Sequence, residues 1–212
     1  MTKTNQHVED AIRDAVDSGS DIYRKVQAIT LKALTERELD LENIKSVVQS
    51  AGKGINEGLV SQNEQAEEAF KEAASALDDA LAKTVEASKL AIEEAASRVS
   101  DFSRDELTEA TDALKALESL FIETLQTVGQ SGNHVVGDIV RDFMTHTQRS
   151  GSAVSSETLK ALDALKELPI RGKDSIISST LATTSALAQI GSGILLGIAD
   201  SLQSSQAKKH ND

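Results

Sequence analysis

Residues 68–102 read "EAFKEAASALDDALAKTVEASKLAIEEAASRVSDF", and the period on which their apolar side chains return decides the fold. Taken from just upstream, Ala66, Phe70, Ala74, Leu77, Leu81, Val85, Ser88, Ile92, Ala96 and Val99 follow one another in steps of 4, 4 and 3, an 11-residue period. At about 3.67 residues per turn such a stripe stays nearly parallel to a straight or slightly right-handed helix axis. A heptad drawn through Leu77 and Leu81 would place Thr84, Ser88 and Arg98 on the seam, so the longer period fits better. The spacing predicts one long helix over 62–100, with Phe70, Leu77, Leu81, Val85, Ile92 and Val99 as its amphipathic stripe.

The rest of the chain has the same character. Among 212 residues there are four Phe, one Tyr, no Trp and a single Pro, so any core is built from Ala, Leu, Ile and Val. Abundant Ala, Glu, Lys and Leu lose little rotamer freedom in a helix, and alternating β-branched runs are scarce. The class is therefore all-α, read as an elongated antiparallel bundle of four to six helices. The absence of Cys removes disulfides, thiolate metal sites and cysteine nucleophiles. The opening "MTKTNQHVED" holds no apolar core of a secretory signal, which makes a cytoplasmic location the expectation. Net charge is −12, and residues 60–124 carry 16 acids against 6 bases while the remainder carries 18 against 16. That central segment repels nucleic acid and anionic lipid.

Working outward, three regions are distinguished: short N-terminal helices over 1–60, long amphipathic helices forming the main bundle over 61–168, and an uncharged Gly/Ser/Thr-rich helix with a polar tail over 169–212. The first helical segment, about 8–34, is interrupted near "DSGSD" (17–21). The next, about 40–59, contains "AGKGINEG", whose glycines each cost roughly 1 kcal/mol relative to Ala in a helix and mark a weak point or turn. "FSRDEL" supplies a capping box, Ser103 with Glu106, for a helix reaching Gly129. "GQSGN" (129–133) reads as a turn, and residues 134–168 as a helix with a soft spot at "RSGSAVSS", broken by Pro169 and Gly172. Glycines 52, 54, 58, 129 and 132 are the expected hinges.

The last helix, about 174–202, ends in "IGSGILLGIADSLQ" (190–203). Residues 175–199 are 25 uncharged positions, enough to cross a hydrocarbon core of about 30 Å. Nine of them are Ser, Thr or Gln, and no basic cluster closely flanks the oily end, so transmembrane insertion is disfavoured. Gly193 and Gly197 form a G-x-x-x-G pair beside Ile190, Ile194, Ile198 and Leu202. Small residues four apart admit close helix approach, so this face is expected either inside the bundle, in a self-association contact, or on an apolar surface.

Catalytic chemistry is not indicated. The histidines, at 7, 134, 146 and 210, are scattered, and Asp142 with His146 leaves a metal site incomplete. "GKG" (52–54) sits in no phosphate-binding pattern. The Asp78–Asp79 and Glu93–Glu94 pairs, with Lys71, Lys83 and Lys89, read as a solvated helix face with local ion pairs. No cofactor, metal or nucleic-acid partner is expected, and no enzymatic activity.

The Cys-free, Trp-free, Ala-rich acidic helices centred on 68–102 resemble phasins, bacterial proteins that coat polyhydroxyalkanoate granules, and also uncharacterised bacterial families of phasin-like helical proteins. The resemblance lies in composition and helical layout over most of the chain. It implies a non-enzymatic, amphipathic, often oligomeric protein at a granule surface. The uncharged C-terminal helix departs from that pattern. The expected function is thus binding of an apolar surface, a polyester or lipid granule or a membrane interface, through amphipathic helix faces, by opening of helix pairs. The alternative is an oligomeric structural scaffold or protein–protein interaction bundle.

Overall fold

A computed structural model of the chain describes residues 3–98, 104–131, 134–168 and 190–200. Its elements are α1 (Lys3–Asp17), α2 (Ile22–Thr35), α3 (Leu41–Leu59), a 3-10 turn (Asn63–Gln65), α4 (Ala66–Arg98), α5 (Arg104–Ser131), α6 (His134–Ser150) and α7 (Ala153–Lys166), and residues 190–200 are also helical. No strand occurs among the described residues, and the helices there outnumber the four to six expected because two of the predicted segments, 8–34 and 134–168, are each divided into two helices.

Local chemistry sets the breaks. Between α1 and α2, Gly19 and Asp21 both take left-handed backbone angles, φ 61° and 52°, and the Gln62 amide donates to the terminal carbonyls of Val16 and Asp17 at 2.9 and 2.8 Å. Asp40 caps α3 by accepting from the Asn43 N–H at 2.7 Å. The predicted soft spot at "RSGSAVSS" is a true break: Gly151 (φ 81°) closes α6 and Ser152 caps α7, accepting from the Ser155 N–H at 3.0 Å. The Ser103 cap, Gly132 and the Pro169/Gly172 break lie outside the described residues.

The expected weak point in α3 is instead a continuous helix from Leu41 to Leu59. Gly54 and Gly58 face α1 at backbone distance: a Cβ on Gly54 would lie 2.4 Å from the Glu9 carbonyl oxygen, and one on Gly58 would lie 2.7 Å from that of Arg13. Gly52 likewise admits Thr124 of α5, whose methyl would be 2.5 Å from a Cβ there. These glycines lie within a continuous helix and mark close contacts, against α1 backbone at Gly54 and Gly58 and against the Thr124 side chain at Gly52, and the contact outweighs their low helix propensity. Gly129, expected in a turn, is helical and packs on Val140.

α4 is the central helix. Its predicted stripe turns inward: Phe70, Leu77, Leu81 and Val85 are fully buried, and Ile92 nearly so, while Val99 lies outside the described residues. A second stripe, Ala69, Ala73, Ala76, Ala80, Thr84, Ala87 and Ala91, is buried beside it, so α4 is enclosed on two faces. Thr84, which weighed against a heptad, is buried and returns its hydroxyl to the Ala80 carbonyl at 2.9 Å. Buried residues from Val8 to Ala199 join in one apolar core, so α1–α3 and α4–α7 share it.

Two of the acidic residues read as solvated do more than face water. The Tyr23 hydroxyl donates to Asp79, and burial first, then that carboxylate, pushes its pKa up to about 12. Asp78 accepts from the N–H groups of Ala153 and Val154 at 2.6 and 2.9 Å, capping α7 from another helix. The Lys71–Glu67, Lys83–Glu86 and Lys89–Glu93 pairs do form, at 2.6, 2.9 and 3.2 Å.

Replacement of Asp78 by Ala leaves two amides of α7 without acceptors and is expected to destabilise the protein by about 1–2 kcal/mol in urea unfolding. Burial raises the Asp78 pKa above its ordinary 3.8, against the opposing pull of the two amides. The native state therefore binds the proton more tightly than the unfolded chain, so this group's contribution to stability falls as pH rises from about 3.8 through the raised value. The Asp78→Asn variant should lack that component, and identical pH profiles for variant and parent would refute the assignment.

Candidate functional site

The segment 190–200 is held to the end of the bundle by its inner face. Leu195 is fully buried and Ala199 nearly so. Gly191 sits against the Leu39 side chain and Ala91, where a Cβ would be 3.3 and 3.7 Å from them. The Ser192 hydroxyl accepts from the Leu39 N–H at 3.2 Å and donates to the Arg37 carbonyl at 2.8 Å. This clamp satisfies backbone groups between α2 and α3 and fixes which side of 190–200 looks outward.

The outward side carries the predicted face. Ile190, Gly193, Leu196 and Gly197 are exposed, Ile194 and Ile198 are half-buried against the core, and Leu202 lies outside the described residues. Among the described residues nothing lies within 4 Å of where a Cβ on Gly193 or Gly197 would stand. Leu41 and Leu90, beside the Leu39 and Ala91 that meet Gly191, are exposed as well. Among the described residues, four of the six large exposed hydrophobics thus lie at one end of the bundle, the other two being Val60 and Leu159. Clustered apolar exposure, unlike scattered exposure, marks an interaction surface.

The structure therefore separates the two predicted sets. The α4 stripe forms the inside of the bundle, and the Ile190/Gly193/Gly197 face remains on the outside. Among the described residues no helix is long and apolar enough to cross a membrane; most of the 175–199 span falls outside them. No group of three or more His, Cys, Asp or Glu there is arranged to hold a metal ion. Asp142 and His146 are exposed and line a groove between α4 and α6 with Glu67 and Lys71.

Sequence reasoning missed the contact surface of α3. The signal was present as Ser50, Gly54 and Gly58, small residues four apart, the same spacing singled out at Gly193 and Gly197. Only one of the two pairs is buried against a partner helix, and pattern alone does not say which. Asp78 had no legible signal, because its partners lie 75 and 76 residues away.

Residues 1–204 match a family of unknown function, DUF6781, and the chain belongs to it. That match carries no link to phasins. No curated protein and no solved structure matches the chain.

Proposed function

We propose that this DUF6781 protein is a non-catalytic helical bundle that attaches to a neutral apolar surface, a polyester or lipid granule or a membrane interface, by the outer face of 190–200. The supporting observation is the exposed Ile190–Leu196 face with Leu41 and Leu90 at the same end of the molecule. Attachment through the α4 stripe is a poorer reading: withdrawing Phe70, Leu77, Leu81, Val85 and Ile92 from the core would cost roughly 7–15 kcal/mol, as much as a domain's whole stability. The acidic segment 60–124 makes the surface a neutral one. A cytoplasmic location accompanies this reading, and the polyester option enters from the resemblance of the long acidic helices to phasins.

Flotation of the full chain with phosphatidylcholine vesicles and with polyhydroxybutyrate particles tests the proposal. The parent should float with at least one of them. Combining Ile190→Glu with Leu196→Glu removes roughly 2–4 kcal/mol of apolar contact, so binding should fall by a factor of about thirty or more. Failure of the parent with both surfaces, or undiminished flotation of the variant, overturns it.

A scaffold reading is favoured by the space that the described residues leave above Gly193 and Gly197, since a second helix packs most closely over small residues. It predicts a discrete oligomer by light scattering that Gly193→Leu with Gly197→Leu dissociates. A monomer indifferent to both changes counts against it.

A further inference from the structure

The 190–200 helix sits on the bundle by its small side. At about 100° per residue, Gly191, Ser192, Leu195 and Ala199 fall within one arc of it, and Ile198, Ile194 and Ile190 lead in that order away from the arc. Leu195 is fully buried, Ile194 and Ile198 are half-buried, and Ile190 and Leu196 are exposed. Large apolar side chains around most of a helix belong to an element enclosed on every side, and the described bundle encloses this one on one side only. The seat beneath it is fastened from elsewhere: Arg37 donates to Asn5 Oδ1 of α1 at 2.7 Å, and Asp40 caps α3. Departure of the helix would leave that seat built and would uncover Leu39 and Ala91, close in sequence to Leu41 and Leu90, which are exposed already. The Leu39 N–H and the Arg37 carbonyl, joined through the Ser192 hydroxyl while the helix is seated, would then take water.

We propose that 190–200 is a strap, latched by Ser192, that leaves the bundle when the protein meets its apolar surface and enters that surface with Ile190, Ile194, Leu195, Leu196 and Ile198 together. The inference rests on the surface-binding reading above and adds a regulation to it, because the closed strap offers only its outer side. On the surface, Leu195 exchanges one apolar setting for another, Ile190 and Leu196 gain cover they lack on the bundle, and Leu39 and Ala91 can face the same surface as Leu41 and Leu90. In water the balance is reversed: release would expose Leu195, Leu39 and Ala91 with nothing in return, so the strap stays closed until a surface is present.

A disulfide staple tests this. A Cβ on Gly191 would stand 3.7 Å from that of Ala91, a separation a disulfide spans without strain, and the chain has no Cys of its own. Gly191→Cys with Ala91→Cys therefore gives a single bond that reductant opens. Flotation of the full-length double variant with phosphatidylcholine vesicles and with polyhydroxybutyrate particles should fall by about tenfold or more when oxidised, the weight of one buried leucine side chain, and return on reduction. In the unstapled parent, the Leu39 amide should exchange about tenfold faster, or more, on the surface that floats it than in buffer. Ser192→Ala should raise flotation about fivefold, the weight of one hydrogen bond in the latch. Equal flotation of the oxidised and reduced variant, or Leu39 exchange that the surface leaves unchanged, overturns the strap and leaves attachment by the outer face standing. Failure of the parent to float with either surface overturns both.

Discussion

Replacing Gly54 and Gly58 together by Ala is expected to destabilise the protein by about 3–5 kcal/mol, with α1 the first element to lose amide protection. At Gly54 the added methyl would fall 2.4 Å from the Glu9 carbonyl oxygen and 3.0 Å from the Arg13 nitrogen; at Gly58 it would fall 2.6 Å from Val16 Cβ and 2.7 Å from the Arg13 oxygen. These neighbours are mostly backbone, so no rotamer change relieves them and α1 must withdraw as a unit. Withdrawal loosens Val8, Ile12 and Val16, all buried, each worth about 1.5–3 kcal/mol when fully exposed. Against this, Ala contributes up to about 1 kcal/mol per site in helix propensity. The same exchange at Gly193 and Gly197, where no described residue comes within 4 Å, retains the gain without the clash, so that pair should be neutral or stabilising. Urea unfolding with hydrogen exchange checks both, and a double variant at 54 and 58 as stable as the parent would falsify the close α1–α3 contact.

Phe70→Ala is expected to cost about 3–5 kcal/mol, the range for emptying a buried aromatic site. Phe70 is fully buried and meets the half-buried Phe143 edge-on, with ring centres 5.4 Å apart and planes at 86°, a geometry that adds about 0.5–1.5 kcal/mol to area burial. With Phe70 removed, Phe143 loses its ring partner and α6 loses its aromatic anchor on α4. Leu159→Ala, at a residue 62% exposed, should change stability by no more than about 0.5 kcal/mol. Equal unfolding midpoints for these two variants would show that the Phe70–Phe143 pair does not hold α6.

The class, the long helix and most of its neighbours were legible because they rest on period and on local signals. The inward stripe of α4, the interruption near Gly19 and the break at Gly151 all belong to residues within a turn or two of each other. The second stripe was hidden by its own composition. Ala69, Ala73, Ala76 and Ala80 have the same small side chain whether they face water or a helix, so periodicity cannot distinguish the two. The glycines of α3 were misread for a related reason: propensity counts what a glycine costs its own helix and omits what it permits the next one. For the candidate surface, the apolar stretch and its glycine pair were visible at once, but which side of it the body would cover depended on Ser192 reaching Arg37 and Leu39 across more than 150 residues.

The α1–α3 contact lies wholly within the first 62 residues, including the Gln62 amide that closes the end of α1. During synthesis it can be complete before α4 has left the ribosome, since N-terminal units fold first as the chain emerges. The later helices then add to it and complete the single core in which α1–α3 take part. The backbone-to-backbone fit of α1 on α3 thus needs no residue beyond position 62.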